Sequence, residues 1–342
     1  MVRYCQSQNF NPDRIFHYAD KVGVLMIRKL IATISSVPAV RKVGASYRRH
    51  LQATTKPDSY ERVAFSKPVG FFAIGERSAL AIMRNGTKVR VNTADHVGRV
   101  LYAMGDFQPR ISEVIRRLLE KGDTVIDIGA NVGWFVATSA PLVGHAGKVI
   151  AFEPQPDIAE MLRETISLND LRQVALNEFA LSASDGEMSM HILAGNSGAG
   201  RLAVPTGEGE WRTVSVKVRN AFDVLTELNL SKIRMLKIDV EGHEGPVLEA
   251  CEPYLIENPA DVVIFESNAH GEAPFFSRVP VMALHRMGYR FFQFDSSVEG
   301  STLREVRSDG EGTEFENDFV ALHSGTSFDT DVKRLGAAPG PR

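Results

Sequence analysis

Residues 123–135, DTVIDIGANVGWF, combine a short apolar run with a glycine turn and a helical pattern. Asp127 lies inside the predicted strand, and Gly129 and Gly133 bracket the turn. Glycine lets a backbone approach a ligand closely, and a helix N-terminus offers N–H groups that lack intrahelical partners. Open α/β sheets bind ligands at the carboxyl ends of such strands. The segment therefore predicts a ligand site at this strand end.

The chemistry of the ligand follows from the acids around this turn. The nicotinamide-binding pattern G-x-G-x-x-G is not met, because the middle glycine is absent. A buried carboxylate such as Asp127 needs a positive partner, and the ammonium group of S-adenosylmethionine would supply one. The next predicted strand ends in FEP, which places Glu153 where a carboxylate can accept hydrogen bonds from two ribose hydroxyls.

Three motifs in this order, DIGANVG, FEP and MLKIDVEGHE, resemble the FkbM family of S-adenosylmethionine-dependent methyltransferases over about residues 60–325. The resemblance implies a Rossmann-like α/β fold of the class I methyltransferases, with seven strands in the order 3-2-1-4-5-7-6 and the last antiparallel. It implies O-methylation of a sugar, glycan or polyketide-type hydroxyl, with S-adenosyl-L-methionine as cofactor. Carried over residue by residue, the cofactor-binding residues are Asp127, Gly129, Asn131, Gly133, Glu153 and, beside the adenine, Ser182.

The sequence departs from the family pattern at two places. The family commonly has Glu in a G-x-x-E-P setting, where this chain has Gln108 before Pro109. The V-x-T-L-D pattern between a strand and a helix becomes VRNAFD over residues 218–223. Both departures lie outside the three motifs and leave the predicted cofactor residues intact.

Methyl transfer to an alcohol is an in-line displacement that needs the acceptor oxygen aligned with the methyl group, and removal of the hydroxyl proton calls for a base. MLKIDVEGHE ends a strand that lies beside the first one in such a sheet. Asp239 is the first group beyond that strand, and His243 follows in the turn. We predict that Asp239 or His243 is the base, with one of them taking the proton or orienting the other.

Three alternatives stay open at this stage. The run IFESNAH puts Glu266, Asn268 and His270 at the same sheet edge as Asp239, where they would suit Mg²⁺. The acceptor atom need not be oxygen, although DVEGHE lacks the proline-aromatic signature of many nitrogen acceptors. Finally, a fold does not establish a function, so a non-catalytic binding module is the third interpretation.

Near-continuous apolar runs separated by helical patterns predict the parallel sheet with helices on both faces. A hairpin is predicted at Asn85-Gly86 among short strands over residues 60–104, and the glycine-rich residues 194–210 suit a loop over the site. The predicted domains are a basic helical extension over 1–59, the methyltransferase domain over 60–325 with its core at 121–295, and a flexible tail over 326–342.

The composition, with 44% hydrophobic and 24% charged residues, excludes disordered, collagenous and coiled-coil chains. No run reaches the roughly 20 apolar residues of a membrane span. Two cysteines, Cys5 and Cys251, cannot form a disulfide framework, which favours the cytoplasm. We expect a small-molecule or glycan substrate and no nucleic acid, and self-association stays open.

The N-terminal segment is basic, since residues 1–50 hold nine Lys and Arg against two acids. A helix is predicted at about residues 20–36, beginning at the capping residue Asp20. A basic amphipathic helix can lie on an anionic membrane surface. Its apolar positions, however, fall on nearly all sides, which favours burial against the sheet domain or a second subunit.

We predict that deleting residues 1–55 destabilises or aggregates the protein, because an apolar docking surface would be exposed. Thermal unfolding and size-exclusion chromatography check this result. A truncated protein that stays soluble and folded, but no longer co-sediments with anionic vesicles, would instead support the membrane interpretation.

Overall fold

The computed structural model describes residues 78–202, 209–267, 274–294, 303–308, 318–325 and 327–337. Its strands are β1 (Ser78–Ile82), β2 (Lys88–Asn92), β3 (Thr124–Ile128), β4 (Lys148–Phe152), β5 (Val174–Asn177), β6 (Ala180–Ser182), β7 (Gly186–Leu193), β8 (Asn196–Arg201), β9 (Trp211–Asn220), β10 (Ile233–Ile238), β11 (Ala260–Glu266), β12 (Tyr289–Phe294), β13 (Leu303–Val306) and β14 (Asp318–His323). Its α-helices are α1 (His96–Met104), α2 (Pro109–Leu118), α3 (Trp134–Val143), α4 (Pro156–Leu168), α5 (Ala221–Leu228), α6 (Glu244–Glu257), α7 (Val279–Arg286) and α8 (Phe328–Leu335).

The large sheet has the strand order β13-β12-β14-β11-β10-β3-β4-β5. Strands β5, β4, β3, β10 and β11 pair in parallel, whereas β14 is antiparallel to both β11 and β12. Read from β5 to β12, this is the order 3-2-1-4-5-7-6, so the predicted fold class is confirmed. Parallel strands with helices between them form a doubly wound sheet, and the chain reverses its direction of winding beside β3.

The eighth strand, β13, is an addition to the predicted seven. Its sequence LREV is short and contains two charges, so it carries little strand signal. In the structure Leu303 and Val306 are buried, and Glu305 pairs with Arg290 and Arg307 at 2.7 Å. These two arginines neutralise a carboxylate that would otherwise oppose burial at the sheet edge.

Strand β3 is buried on both faces, and its alternation decides where Asp127 lies. Val125 packs in a core cluster with residues of α2 and α3, whereas Ile126 packs in a second cluster with residues of α6 on the opposite face. Because side chains alternate along a strand, Asp127 lies on the face of Val125, between the sheet and α3. The acid is therefore placed inside an apolar layer.

A smaller sheet, ordered β6-β9-β7-β8, forms where the glycine-rich loop was predicted. Residues 196–201 are strand β8, which corrects part of that prediction, and residues 203–208 lie outside the described chain. The Ser197 N–H donates to Asp95, and the Gln155 side chain donates to the Ser197 carbonyl. These contacts use the backbone groups of β8 and do not depend on side-chain alternation. The sequence therefore did not indicate the strand.

The hairpin at Asn85-Gly86 is confirmed by the pairing of β1 with β2. The prediction of strands alone over residues 60–104 is wrong, because α1 occupies His96–Met104. Asp95 begins this helix by accepting the N–H groups of Val97 and Gly98. The capping residue and the apolar positions that follow it were the signal for a helix.

The predicted flexible tail contains helix α8, which corrects that prediction. Arg234 of β10, with its side chain 8% exposed, donates to both oxygens of Asp331 at 2.6 and 2.7 Å and to the Leu118 carbonyl. A bidentate, buried arginine pair of this geometry holds the helix on the sheet. The predicted helix at 20–36 and the boundary at residue 59 lie outside the described residues. Within the described part of the chain, no helix is long and apolar enough to span a membrane.

Candidate active site

A cavity of about 510 Å³ opens at the carboxyl ends of β3, β4, β10 and β11. Helix α2 and strand β8 form further parts of its wall. A volume of this size is typical of a site for a small molecule or a cofactor. The site lies where ligands bind in doubly wound sheets, as the sequence predicted.

The turn after β3 brings the carboxyl ends of β3 and β10 close together. Gly129 has φ +85°, and a Cβ atom at this position would overlap the backbone carbonyl oxygen of Asp239. Gly133 has φ +91°, and a Cβ atom there would overlap Cδ1 of Leu162 in α4. Packing against backbone therefore requires glycine at position 129, whereas at position 133 the left-handed backbone conformation favours glycine and Leu162 could shift.

Glu153 lies at the end of β4 and lines the cavity. Its two carboxylate oxygens accept the backbone N–H groups of Asn131 at 2.9 Å and Gln155 at 2.8 Å. Burial raises the pKa of Glu153 to about 7, although these two hydrogen bonds oppose the shift. Each carboxylate oxygen keeps a further lone pair, so the side chain can accept hydrogen bonds from a diol in the cavity.

Asn131 occupies the left-handed region with φ +49° and also lines the cavity. Its side-chain oxygen accepts the Val132 N–H at 2.7 Å, and its amide nitrogen lies 3.5 Å from Oγ of Ser197 in β8. Asparagine tolerates this conformation better than most residues. Asn131 therefore connects the turn, the acid Glu153 and the wall formed by β8.

Asp127 is fully buried and is absent from the described lining of the cavity. The Nζ atom of Lys237, its direct neighbour across the β3–β10 pair, lies 3.3 Å from Oδ1 of Asp127. Burial raises the pKa of Asp127, and the Lys237 ammonium opposes that shift. Sequence reasoning assigned the positive partner of this acid to a ligand. The structure shows that Lys237 is such a partner.

Lys237 was missed as a functional residue at the sequence level. It stands in the apolar run RMLKI of β10, is 5% exposed and lines the cavity. Burial alone would lower the pKa of Lys237, but the charges of Asp127 and Asp239 outweigh burial and raise it. A lysine two residues before Asp239 in a run that is otherwise apolar was the signal that could have identified it.

Asp239 and His243 both line the cavity, as predicted for the candidate bases. The Asp239 side chain is 32% exposed, and its Oδ2 lies 3.4 Å from the Lys237 Nζ atom. His243 Nε2 lies 2.9 Å from Oγ of Ser182. Burial lowers the pKa of His243, so its imidazole is neutral at neutral pH. Ser182, predicted beside the adenine, contacts this histidine instead, while Ala180 and Leu181 line the cavity.

Three carboxylates have a spacing that would suit a cation. One oxygen from each lies within 4.8 Å of the others, and they belong to Asp239, Glu244 and Glu266. Glu244 accepts the N–H groups of Val240 and Gly242, so its oxygens are engaged. Burial, followed by nearby carboxylates, raises the pKa of Glu266 to about 9, so this group is protonated at neutral pH. Asn268 and His270 of the metal alternative lie outside the described residues.

Gln108 and Asp318 also line the cavity and contact each other. Nε2 of Gln108 donates to Oδ2 of Asp318 at 3.0 Å, although the two residues are 210 positions apart. Sequence reasoning noted Gln108 only as a departure from the family pattern. A partner that distant cannot be recognised from local spacing.

A family model and two curated proteins are similar to the part of the chain that contains these motifs. Residues 127–291 match the model of the methyltransferase FkbM domain. The chain is 30% identical over 164 residues to the hexuronic acid methyltransferase AglP of Haloferax volcanii, covering 46% of this chain and 62% of that protein. It is 29% identical over 168 residues to the methyltransferase sdnD of Sordaria araneosa, covering 41% of this chain and 64% of that protein. The chain thus spans less than two thirds of either relative.

Among solved structures, the chain aligns with the O-methyltransferase TomG from Streptomyces achromogenes in complex with S-adenosylmethionine. The identity is 14%, the TM-score is 0.35, and the alignment covers 63% of this chain and 79% of that one. A putative rRNA methylase from Clostridium thermocellum aligns with 10% identity and a TM-score of 0.37, over 64% of this chain and 96% of that one.

We predict that Gly129→Ala destabilises the protein more than Gly86→Ala does. Both glycines have φ near +85°, so each substitution incurs the left-handed strain of about 1–2 kcal/mol. Only position 129 adds overlap with backbone, which costs a further 1–3 kcal/mol or so. Urea unfolding of the two variants measures the difference, and equal losses would contradict the assignment of Gly129 to close strand packing.

Proposed function

We propose that this chain, which carries a methyltransferase FkbM domain over residues 127–291, is an S-adenosyl-L-methionine-dependent O-methyltransferase. Its acceptor is a hydroxyl of a sugar, glycan or polyketide-type small molecule. The observation that carries the proposal is the cavity shared by Glu153 at one strand end and Asp239 with His243 at another. The relative AglP, a hexuronic acid methyltransferase, supports a sugar acceptor.

The residues around the cavity fit the cofactor. Glu153 offers acceptors for the two ribose hydroxyls, and Asn131 fixes the turn beside it. An apolar part of the wall suits an adenine ring. It is formed by Phe152, Phe179, Ala180 and Leu181, and the last two precede Ser182. Asp127, Lys237 and Asp239 together carry two negative charges and one positive charge, so a ligand's ammonium group beside Asp239 would balance them. When bound, S-adenosylmethionine supplies a methyl group that is activated by its sulfonium centre.

His243 is the base that the geometry favours. When Nε2–H donates to the Ser182 hydroxyl, Nδ1 keeps its lone pair and can accept the proton of an acceptor hydroxyl. Asp239 lies in the same cavity, where its carboxylate orients the acceptor or the amino group of the cofactor. The carboxylate cluster of Asp239, Glu244 and Glu266 offers a metal ion few free ligands, because Glu244 accepts backbone N–H groups and Glu266 is protonated at neutral pH. We therefore propose a mechanism that requires no metal.

The binding experiment is calorimetry with S-adenosylhomocysteine over a range of pH. We expect the affinity to fall as the pH decreases below about 7, because protonation of Glu153 removes acceptors from the ribose hydroxyls. Glu153→Gln should lower the affinity roughly tenfold to a hundredfold and flatten this pH dependence. The control is Glu178→Gln, which changes an exposed acid paired with Arg163. NAD binding in place of S-adenosylhomocysteine, or no binding at all, would contradict the proposal.

For the chemical step we predict that His243→Gln lowers turnover by roughly 10²–10⁴-fold while the affinity for S-adenosylhomocysteine stays near that of the unmodified chain. Burial lowers the pKa of His243 below its usual 6.5, so activity should be retained above that value and decline only at more acidic pH. The variant should lose this acidic decline. Transfer of labelled methyl groups to neutral sugars, uronic acids, lipid-linked sugars and polyketides provides the assay.

The controls separate the remaining alternatives. His145→Gln, which changes an exposed histidine, should leave turnover unchanged. If Asp239→Asn abolishes cofactor binding, Asp239 belongs to the cofactor site and not to the acceptor. If EDTA removes activity and Mg²⁺ restores it, the metal alternative replaces the assignment of His243. A chain that binds the cofactor and methylates no acceptor would be a binding module.

A further inference from the structure

The ammonium group of Lys237 has three acceptors around it, which equals its number of N–H donors. Nζ donates to the Gly129 carbonyl at 3.1 Å and lies 3.3 Å from Asp127 and 3.4 Å from Asp239. The ring of Phe135 in α3 lies on a further side, with its centroid 5.9 Å from Nζ. No other position among the described residues places one cation against both a buried strand acid and the first acid beyond the neighbouring strand.

These contacts join the separate parts of the site. Asp127 belongs to β3, Gly129 to the turn that follows it, and Asp239 to the end of β10. The backbone gives the same connection, since the Asp239 N–H donates to the Ile128 carbonyl at 3.1 Å. A displacement of Lys237 would therefore move the turn of the cofactor site and the carboxylate of the acceptor site together.

We infer that Lys237 is a positioning residue: its ammonium group holds the Asp239 carboxylate and the Gly129 carbonyl in place, and Asp127 serves as its buried counter-ion. This inference deepens the proposed function and rests on it for the identity of the reaction. It reassigns Asp127, whose effect on the cofactor then passes through Lys237. Lys237 itself takes no proton from the acceptor, because it is already a cation: the charges of Asp127 and Asp239 raise its pKa, and Nζ donates to the Gly129 carbonyl.

Two hypotheses about the Lys237–Asp127 ion pair, a purely structural role and a positioning role, predict different results. Replacing a buried ion pair by neutral side chains of similar volume is often harmless to stability. If Lys237 and Asp127 only support the fold, such a replacement leaves binding and turnover unchanged. If Lys237 positions Asp239, the replacement preserves folding and still impairs turnover, and the effect of changing Asp239 becomes smaller in that background.

The experiment compares the unmodified chain with the double variant Asp127→Asn/Lys237→Met, each with and without Asp239→Asn. We expect the double variant to fold and to lose turnover about a hundredfold, as for a misplaced reacting group. The fold-decrease in turnover caused by Asp239→Asn should then be at least tenfold smaller in the double variant than in the unmodified chain. The matched control is Lys232→Met, which removes an exposed lysine that directly precedes β10 and pairs with Asp261 of β11.

Lys237→Arg is the second variant. It keeps the inference testable if the double variant does not fold. It retains the positive charge next to Asp127, but a planar guanidinium cannot place one nitrogen against all three acceptors. We expect its thermal unfolding to remain close to that of the unmodified chain while turnover falls tenfold or more. Unchanged turnover in Lys237→Arg, or in a folded double variant, overturns the inference.

A readout that needs no cofactor separates this inference from the proposed function. In protein labelled with ¹⁵N-lysine, the Lys237 ammonium signal is assigned by its loss in Lys237→Arg. We expect its hydrogens to exchange slowly with water and to exchange faster in Asp239→Asn, whereas the signal of Lys232 stays unchanged. A Lys237 signal that Asp239→Asn leaves unaffected overturns the inference. If the Lys237 signal responds to Asp239→Asn but the chain binds no S-adenosylhomocysteine, only the proposed function is overturned.

Discussion

The buried ammonium group of Lys237 is the constraint on which the rest of the site depends. Removing a lysine and an aspartate from water costs several kcal/mol for each ion unless close partners compensate. Asp127, Asp239 and the Gly129 carbonyl supply these partners at 3.1–3.4 Å. Each partner belongs to a different part of the chain, so the compensation is complete only when β3, its turn and β10 are in register. The ionic contacts of Lys237 thus favour the same register of β3 and β10 as the backbone hydrogen bonds between these strands.

The glycine turn extends this constraint to the second half of the site. The N–H groups of Gly129 and Ala130 both donate to the Phe152 carbonyl at the end of β4, at 3.0 and 2.9 Å. The Asn131 N–H, one residue later, donates to Glu153. Three successive backbone groups of the turn therefore bind the end of β4 and the side chain that follows it. The position of Glu153 relative to Asp239 is fixed through backbone, without any contact between the two acids.

The sequence was sufficient for the parallel sheet and for the polar groups Glu153, Asp239 and His243 of the cavity, because these depend on local pattern. Short apolar runs and glycine turns identify strand ends. Glu153 and Asp239 are the first polar groups beyond such ends, and His243 follows in the turn after Asp239. The sequence was insufficient where a partner is distant along the chain. Lys237 as counter-ion of Asp127, and Ser182 as partner of His243, became visible only when β3, β6 and β10 were placed together.

The elements that were missed have a related physical explanation. Strand β8 forms by backbone pairing in a glycine-rich segment, and β13 depends on arginines that neutralise Glu305. Helix α8, predicted as flexible tail, is held by the contact of Asp331 with Arg234 of β10. In each case the stabilising partner comes from tertiary structure, and local propensity carries little of the signal.

The two departures from the family pattern are each accommodated by side-chain hydrogen bonds. Asn220 accepts the N–H groups of Phe222 and Asp223 and so begins α5, a capping role that threonine can also fill. At the other position, a glutamate in place of Gln108 would set a carboxylate against Asp318, whereas the amide donates to it at 3.0 Å. Because Gln108 and Asp318 both line the cavity, this second change alters the polar surface of the cavity. The first change, by contrast, concerns only the start of α5, since Asn220 is not among the residues described as lining the cavity.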